Sequence, residues 1–196
     1  MQRAGIDAWI RDERRKLVEV GGGHYNRVNI HVGQGLRTAK DHYLVHLLDC
    51  TSDPATGVSR DLFEDYPAAL QDRTACVPGS IHHFECSRSD DDHFVLVNLY
   101  GRKSRGRHTL SETPVRRLEW FRQGLSNLRN LIVNTHTDED GSLPSVAFEY
   151  LVGCDAGSGG KWVDYFRAIL DWSSDSGIPV HIYDPDSKYF RDSPDL

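Results

Sequence analysis

Along most of this chain, apolar runs of strand length alternate with helical stripes, and no other feature restricts the fold as much. "HYLVHLLD" (42–49) and "VAFEYLVG" (146–153) are apolar enough to be strands covered on both faces. "RVNIHV" (27–32), with Val28, Ile30 and Val32 alternating, and "IPVHIYD" (178–184) read as further strands. "SIHHFEC" (80–86) and "HFVLVNLY" (93–100) are two strands joined by "SRSDDD", a connection short enough for a hairpin. Between them lie three helices. "VSRDLFEDY" carries a stripe of Val58, Leu62, Phe63 and Tyr66 that ends at Pro67. "TPVRRLEWFRQGLSNLRNL" starts with Thr113 at the N-cap and Pro114 in the first turn. "KWVDYFRAILDW" repeats Trp162, Tyr165, Phe166, Ile169 and Leu170 at helical spacing. Strands alternating with helices predict an α/β fold of three layers, α/β/α, on a mixed, largely parallel sheet of about six strands.

With 196 residues the chain is about one domain long. "GIDAWIRDERRKLVEV", closed by Gly21 to Gly23, reads as an added N-terminal helix, so residues 1–23 form an extension and 24–196 the domain. A net charge of −6 argues against a nucleic-acid-coating surface, and the basic run from Arg102 to Arg107 is short with no interleaved aromatics. The N-terminus is too charged for a signal peptide, and no apolar run approaches the roughly 20 residues of a membrane span. Four cysteines, Cys50, Cys76, Cys86 and Cys154, show no zinc or disulfide spacing. A soluble monomer of the cytoplasm is the expectation, with the nucleus as the alternative compartment and without membrane or nucleic acid among its partners. "SDDDH" with His82, His83 and His93 holds metal-ligand types, but Asp is a common turn residue, so no metal and no cofactor are expected.

The loop "LVGCDAGSGGKW" (151–162) is the most informative stretch. It joins a strand to a helix, where free N–H groups and the helix dipole favour an anion. Its glycines, Gly153, Gly157, Gly159 and Gly160, permit close backbone approach to a phosphate. The spacing G-x-x-x-G-x-G-G fits neither a dinucleotide fingerprint nor a P-loop, because Trp162 stands where the latter needs Ser or Thr. A tight turn without ligand is the alternative reading.

The order of elements, and this loop in particular, resemble the macro domain family. There a strand ending in a loop like I-G-C-G-x-A-G-G-x-W leads into a helix, and Val152, Gly153, Cys154, Gly159, Gly160 and Trp162 match with one residue inserted. "HYLVHLLDCTSDPATGVSRDLFEDYP" is similar to the family's first ligand loop and helix, "FVLVNLY" to its "VVNL" strand and "HIYD" to its closing strand. The likeness runs from about residue 27 to 184. It implies an ADP-ribose site at the carboxyl ends of the strands. Gln34 stands where the family has an adenine-reading Asp, and Tyr183 where it has an aromatic residue near the adenine, with a core tyrosine as the alternative. Gly153, Ala156, Gly157, Ser158, Gly159 and Gly160 would hold the diphosphate and distal ribose, bordered from the other side by Gly57 and Val58.

The resemblance also implies hydrolysis of ADP-ribosyl linkages, such as esters on Glu or Asp or related ADP-ribose derivatives including the 1''-phosphate, without a metal. The first loop, "DCTSDPATG", lacks the Asn usual in the family, as do the terminal ADP-ribose protein glycohydrolases, which use a lysine and an aspartate. Lys103 or Arg102 aligns with that lysine, and Asp155 lies two residues before the aspartate position. In such chemistry a lysine attacks the anomeric carbon, and a carboxylate, Asp155 or Asp53, activates water. A reader that binds without turnover, or a degenerate interaction module, are the alternatives. The expected partner is ADP-ribose or an ADP-ribosylated protein.

Overall fold

The computed structural model describes residues 27–51, 58–70, 76–104, 106–135, 142–154 and 159–185, so the expected N-terminal extension lies outside the described residues. Six strands form one sheet: β1 (Val28–Val32), β2 (Tyr43–Asp49), β3 (Ile81–Ser89), β4 (Asp92–Arg102), β5 (Val146–Glu149) and β6 (Val180–Asp184). Their spatial order is β1-β6-β5-β2-β4-β3. All neighbours are parallel except the β3–β4 hairpin at one edge. Parallel neighbours need long crossovers, and these carry the helices α1 (Val58–Asp65), α2 (Pro114–Thr135) and α3 (Trp162–Ser176).

The sheet is covered on both faces, which explains why its central strands read as continuous apolar runs. Along β2, Tyr43 and Val45 join Val97, Leu99, Val146, Phe148, Val180 and Ile182 beneath α2 and α3, which contribute Phe121, Leu125, Leu128, Phe166 and Ile169. The alternate residues Leu44 and Leu48 join Leu96, Tyr100, Ala147 and Tyr183 on the other face, under Leu62 and Phe63 of α1. This is the expected three-layer arrangement. Helix α2 lies close to the sheet at Gly124, where a Cβ would fall 2.6 Å from Leu99 Cγ.

Two element boundaries differ from expectation. The hairpin strands continue through the polar stretch to a tight turn, because Arg88 pairs with Asp92 at 2.7 Å and lies over the Phe94 ring. Strand β5 stops at Glu149, four residues earlier than the apolar pattern suggests. Tyr150, Leu151 and Val152 turn instead, with Val152 N donating to Glu149 O and Cys154 N to Leu151 O. Their side chains still enter the core from the turn, so hydrophobicity alone does not separate them from a strand.

A polar strut crosses the second face. Asn98 Nδ2 donates to Ala69 O, so Asn98 Oδ1 accepts from His46 Nε2 at 2.5 Å, and His46 Nδ1 is left to accept from Ser59 Oγ at 2.9 Å. All three side chains are buried. The strut ties the first turn of α1 to strands β2 and β4.

Candidate functional site

Five parallel strands point the same way, so the segments that follow them gather along one edge of the sheet. This is where open α/β sheets bind ligands. After β1, Gly33 takes φ +73° and donates to Asp184 O, and Gln34 is exposed in the turn that follows. After β5 comes the turn at Tyr150–Gly153, in which Leu151 is held at φ +63° and Gly153 at φ +77°. A non-glycine residue in the left-handed region costs of order 1–2 kcal/mol, and Leu151 is offset by packing against the core.

The two ends of the glycine-rich loop meet. A Cβ on Gly160 would lie 2.5 Å from Gly153 O and 3.1 Å from the Tyr165 ring, and a Cβ on Gly153 would run into the same ring. Gly153 and Gly160 thus form a narrow neck against Tyr165. It opens at the N-terminus of α3, where the N-cap, Lys161, offers no side-chain hydrogen bond. Gly159, at φ +73°, faces His108, whose Nδ1 would be 2.8 Å from a Cβ there. The segment after β4 therefore touches the segment after β5.

The segment after β4 is held from within. Arg117 and Glu112 are 2% and 3% exposed, and Arg117 Nε donates to Glu112 Oε1 at 3.0 Å. Glu112 accepts from Lys103 N, Ser104 N and Ser104 Oγ. The guanidinium also reaches the carbonyls of Ser104, Gly106 and Arg107. Arg117 falls on the same stripe of α2 as Phe121, Leu125, Leu128 and Ile132. A charged residue on an apolar helical stripe was the sign in the sequence that something buried must neutralise it.

Expected site residues fall into three groups. Gln34, Gly153, Gly159, Gly160 and Lys103 all lie along the carboxyl edge, and half-buried Val58 opens α1 beside the second-face core. Lys103 is exposed, its backbone fixed by Glu112 and by Cys50 N, which donates to the carbonyls of Arg102 and Lys103. Asp53, Gly57, Asp155, Ala156, Gly157 and Ser158 lie outside the described residues. Tyr183 is 4% exposed, stacked on His31 at 4.7 Å, and donates to Asp41 Oδ2 at 2.8 Å. Cys50 is a poor nucleophile, since burial, aided by neighbouring Cys76, Asp49 and Glu112, pushes its thiol up to about 12.

Asp41 was not singled out by its sequence context, because its partners arrive from the far end of the chain. Its carboxylate is buried between Tyr183 and His181 Nδ1, the latter at 3.0 Å. Burial pushes this carboxyl up, but hydrogen bonds from His181, Ser145 and Tyr183 outweigh it and hold it below its ordinary value. The phenol of Tyr183 is raised by burial and by Asp41. A depressed carboxyl contributes stability that is present above its unfolded pKa and lost as the pH falls through the folded value. The unfolding free-energy difference between wild type and Asp41→Asn should accordingly shrink as the pH falls below the ordinary value of 3.8, as read by urea titrations at a series of pH values. A pH-independent difference would mean that the charge on Asp41 is immaterial.

Among the described residues, no group of three or more His, Cys, Asp or Glu is placed to hold a metal ion. His83 and His93 instead line a separate cleft of about 280 Å³ with His42, Tyr43 and Glu85. No helix among the described residues is long and apolar enough to cross a membrane.

No family model matches the sequence, and no curated protein sequence matches it significantly. Solved structures do. The macrodomain of Mycobacterium tuberculosis DarG superimposes with a TM-score of 0.59 at 18% identity, covering 80% of this chain and 96% of that one. Thermosipho africanus DarTG, solved in complex with ADP-ribose, gives 0.59 at 15% identity over 85% of this chain and 43% of its own. The macro domain of ganglioside induced differentiation associated protein 2 gives 0.54 at 13% identity, over 81% and 77% of the two chains. The chain therefore has the macrodomain fold.

Proposed function

We propose that the protein binds ADP-ribose along the carboxyl edge of the sheet and hydrolyses ADP-ribosyl linkages there. The observation that carries this reading is the neck of Gly153 and Gly160 at the side-chain-uncapped start of α3, in a fold whose solved neighbours include one in complex with ADP-ribose. Backbone N–H groups at such a helix start suit a diphosphate. Gln34, exposed in the turn after β1, is the residue assigned to the adenine, and its amide both donates and accepts.

For turnover, Asp155 is the carboxylate assigned to activate water, with Asp53 as the other candidate and Lys103 near the anomeric carbon. Calorimetry with ADP-ribose should give micromolar binding that AMP and ribose 5-phosphate do not reproduce. Asp155→Ala should keep that binding while slowing release of ADP-ribose from a Glu-linked substrate by about 100-fold or more. Absence of binding at millimolar ADP-ribose would overturn the whole reading, and unchanged turnover in Asp155→Ala would overturn the catalytic part. The exposure of Lys103 favours a second reading, a binder without turnover, for which wild type would bind ADP-ribose and release none.

A further inference from the structure

Between β4 and α2, the described residues 103–104 and 106–113 combine a hydrogen-bonded backbone with several exposed side chains. A buried ion pair, Arg117 with Glu112, supplies hydrogen bonds to the backbone or side chain of Lys103, Ser104, Gly106 and Arg107. At its tip, Thr109 N donates to Glu112 O and Glu112 N to Thr109 O, closing a tight turn at 3.2 Å in both directions. Turn tips favour Gly, Asn, Asp and Ser, for local backbone reasons. Here the tip carries Leu110, 102% exposed, with Val115 at 67% in the first turn of α2. Lone exposed apolar residues are ordinary, but a fully exposed leucine on a backbone anchored by buried charges contributes nothing to folding. It is preorganised for contact, and preorganisation reduces the ordering cost of binding.

Charge indicates what the contact is with. The chain carries a net charge of −6, yet this segment presents Lys103, Arg107 and His108 to solvent, while Arg116 on α2 is paired with Glu119 at 3.0 Å. His108 also meets Gly159, so the basic, leucine-tipped loop forms one wall beside the glycine neck. We propose that this loop docks an acidic polypeptide segment carrying the ADP-ribosyl group, with Leu110 as apolar anchor and Arg107 as counter-charge. The inference rests on the reading that the cleft takes ADP-ribose. A polypeptide is favoured over a nucleic acid because no Phe, Tyr or Trp stands on the described part of the loop to stack a base, and an acidic chain with so few local cations suits a short acidic segment better than a polyanion.

Calorimetry on the full chain tests this with four probes: free ADP-ribose, a Glu- and Asp-rich peptide bearing one ADP-ribose through a hydrolysis-resistant linkage, the same peptide unmodified, and an equally modified single-stranded oligonucleotide. The modified peptide should bind about tenfold more tightly than free ADP-ribose. Leu110→Asp and Arg107→Glu should each remove most of that gain and leave free ADP-ribose unchanged. Both residues are exposed, so the variants should fold as wild type. Equal affinity of wild type for the modified peptide and free ADP-ribose, or wild-type affinity of both variants for the peptide, overturns the proposal. A tenfold gain confined to the oligonucleotide overturns it in favour of a nucleic-acid carrier. Loss of binding to every probe by wild type overturns the cleft reading first, and the docking role falls with it.

Discussion

Arg117→Met lowers the unfolding free energy by about 3–5 kcal/mol, because it leaves the Glu112 carboxylate buried without its cation. The loss is larger than an exposed ion pair produces, since both side chains are almost fully out of solvent and the guanidinium also serves the carbonyls of Ser104, Gly106 and Arg107. Arg117→Lys retains charge but cannot reproduce the planar fork, so it should recover only part of the stability. The double variant Arg117→Met with Glu112→Leu removes both charges and should be more stable than Arg117→Met alone. Urea unfolding monitored by tryptophan fluorescence measures all three. If Arg117→Met falls within about 1 kcal/mol of wild type, the pair does not support the loop, and if it fails to fold, the rank of the other two variants still decides.

Gly153→Ala is the second large effect. The substitution places a Cβ at φ +77° and into the Tyr165 ring, so strain and overpacking act together, for a combined loss of about 2–4 kcal/mol. The neck it shares with Gly160 opens, and ADP-ribose affinity should fall at least tenfold. Gly35→Ala is the internal control at the same edge: Gly35 sits at φ −92°, and its added Cβ would make only a 3.6 Å contact with Pro185. That variant should stay within about 0.5 kcal/mol of wild type and bind normally. Equal behaviour of the two glycine variants would show that the neck has no special conformation to protect.

The architecture was legible because periodicity is local. Thr113 and Pro114 set the start of α2, where Arg116 N donates to Thr113 Oγ1, and the alternation of Tyr43, Val45, Leu44 and Leu48 between two cores follows from strand geometry alone. The glycine loop was legible for the same reason, since positive φ and close approach write themselves into residue type at Gly153 and Gly159. What escaped the sequence depends on partners far away in the chain. Asp41 and Tyr183 are 142 positions apart, and His46 and Asn98 are 52 apart. Nothing near Asp41 in the chain marks it as buried. The early end of β5 escaped because Tyr150, Leu151 and Val152 are as apolar in a turn as they would be in a strand.

Among the described residues, strand β1 hydrogen-bonds to no strand except β6, which comes last of the six in chain order. The pairing of Val28 with Val180 therefore closes only after the intervening segments are made. Non-local pairing of this kind slows folding, because loop-closure entropy must be overcome before the contact rewards it. On the ribosome, β1 emerges before the strand it pairs with and waits as an open edge, the condition in which a strand is most prone to association with other chains. Its alternating Asn29 and His31, polar on one side, reduce that hazard until the closing strand arrives.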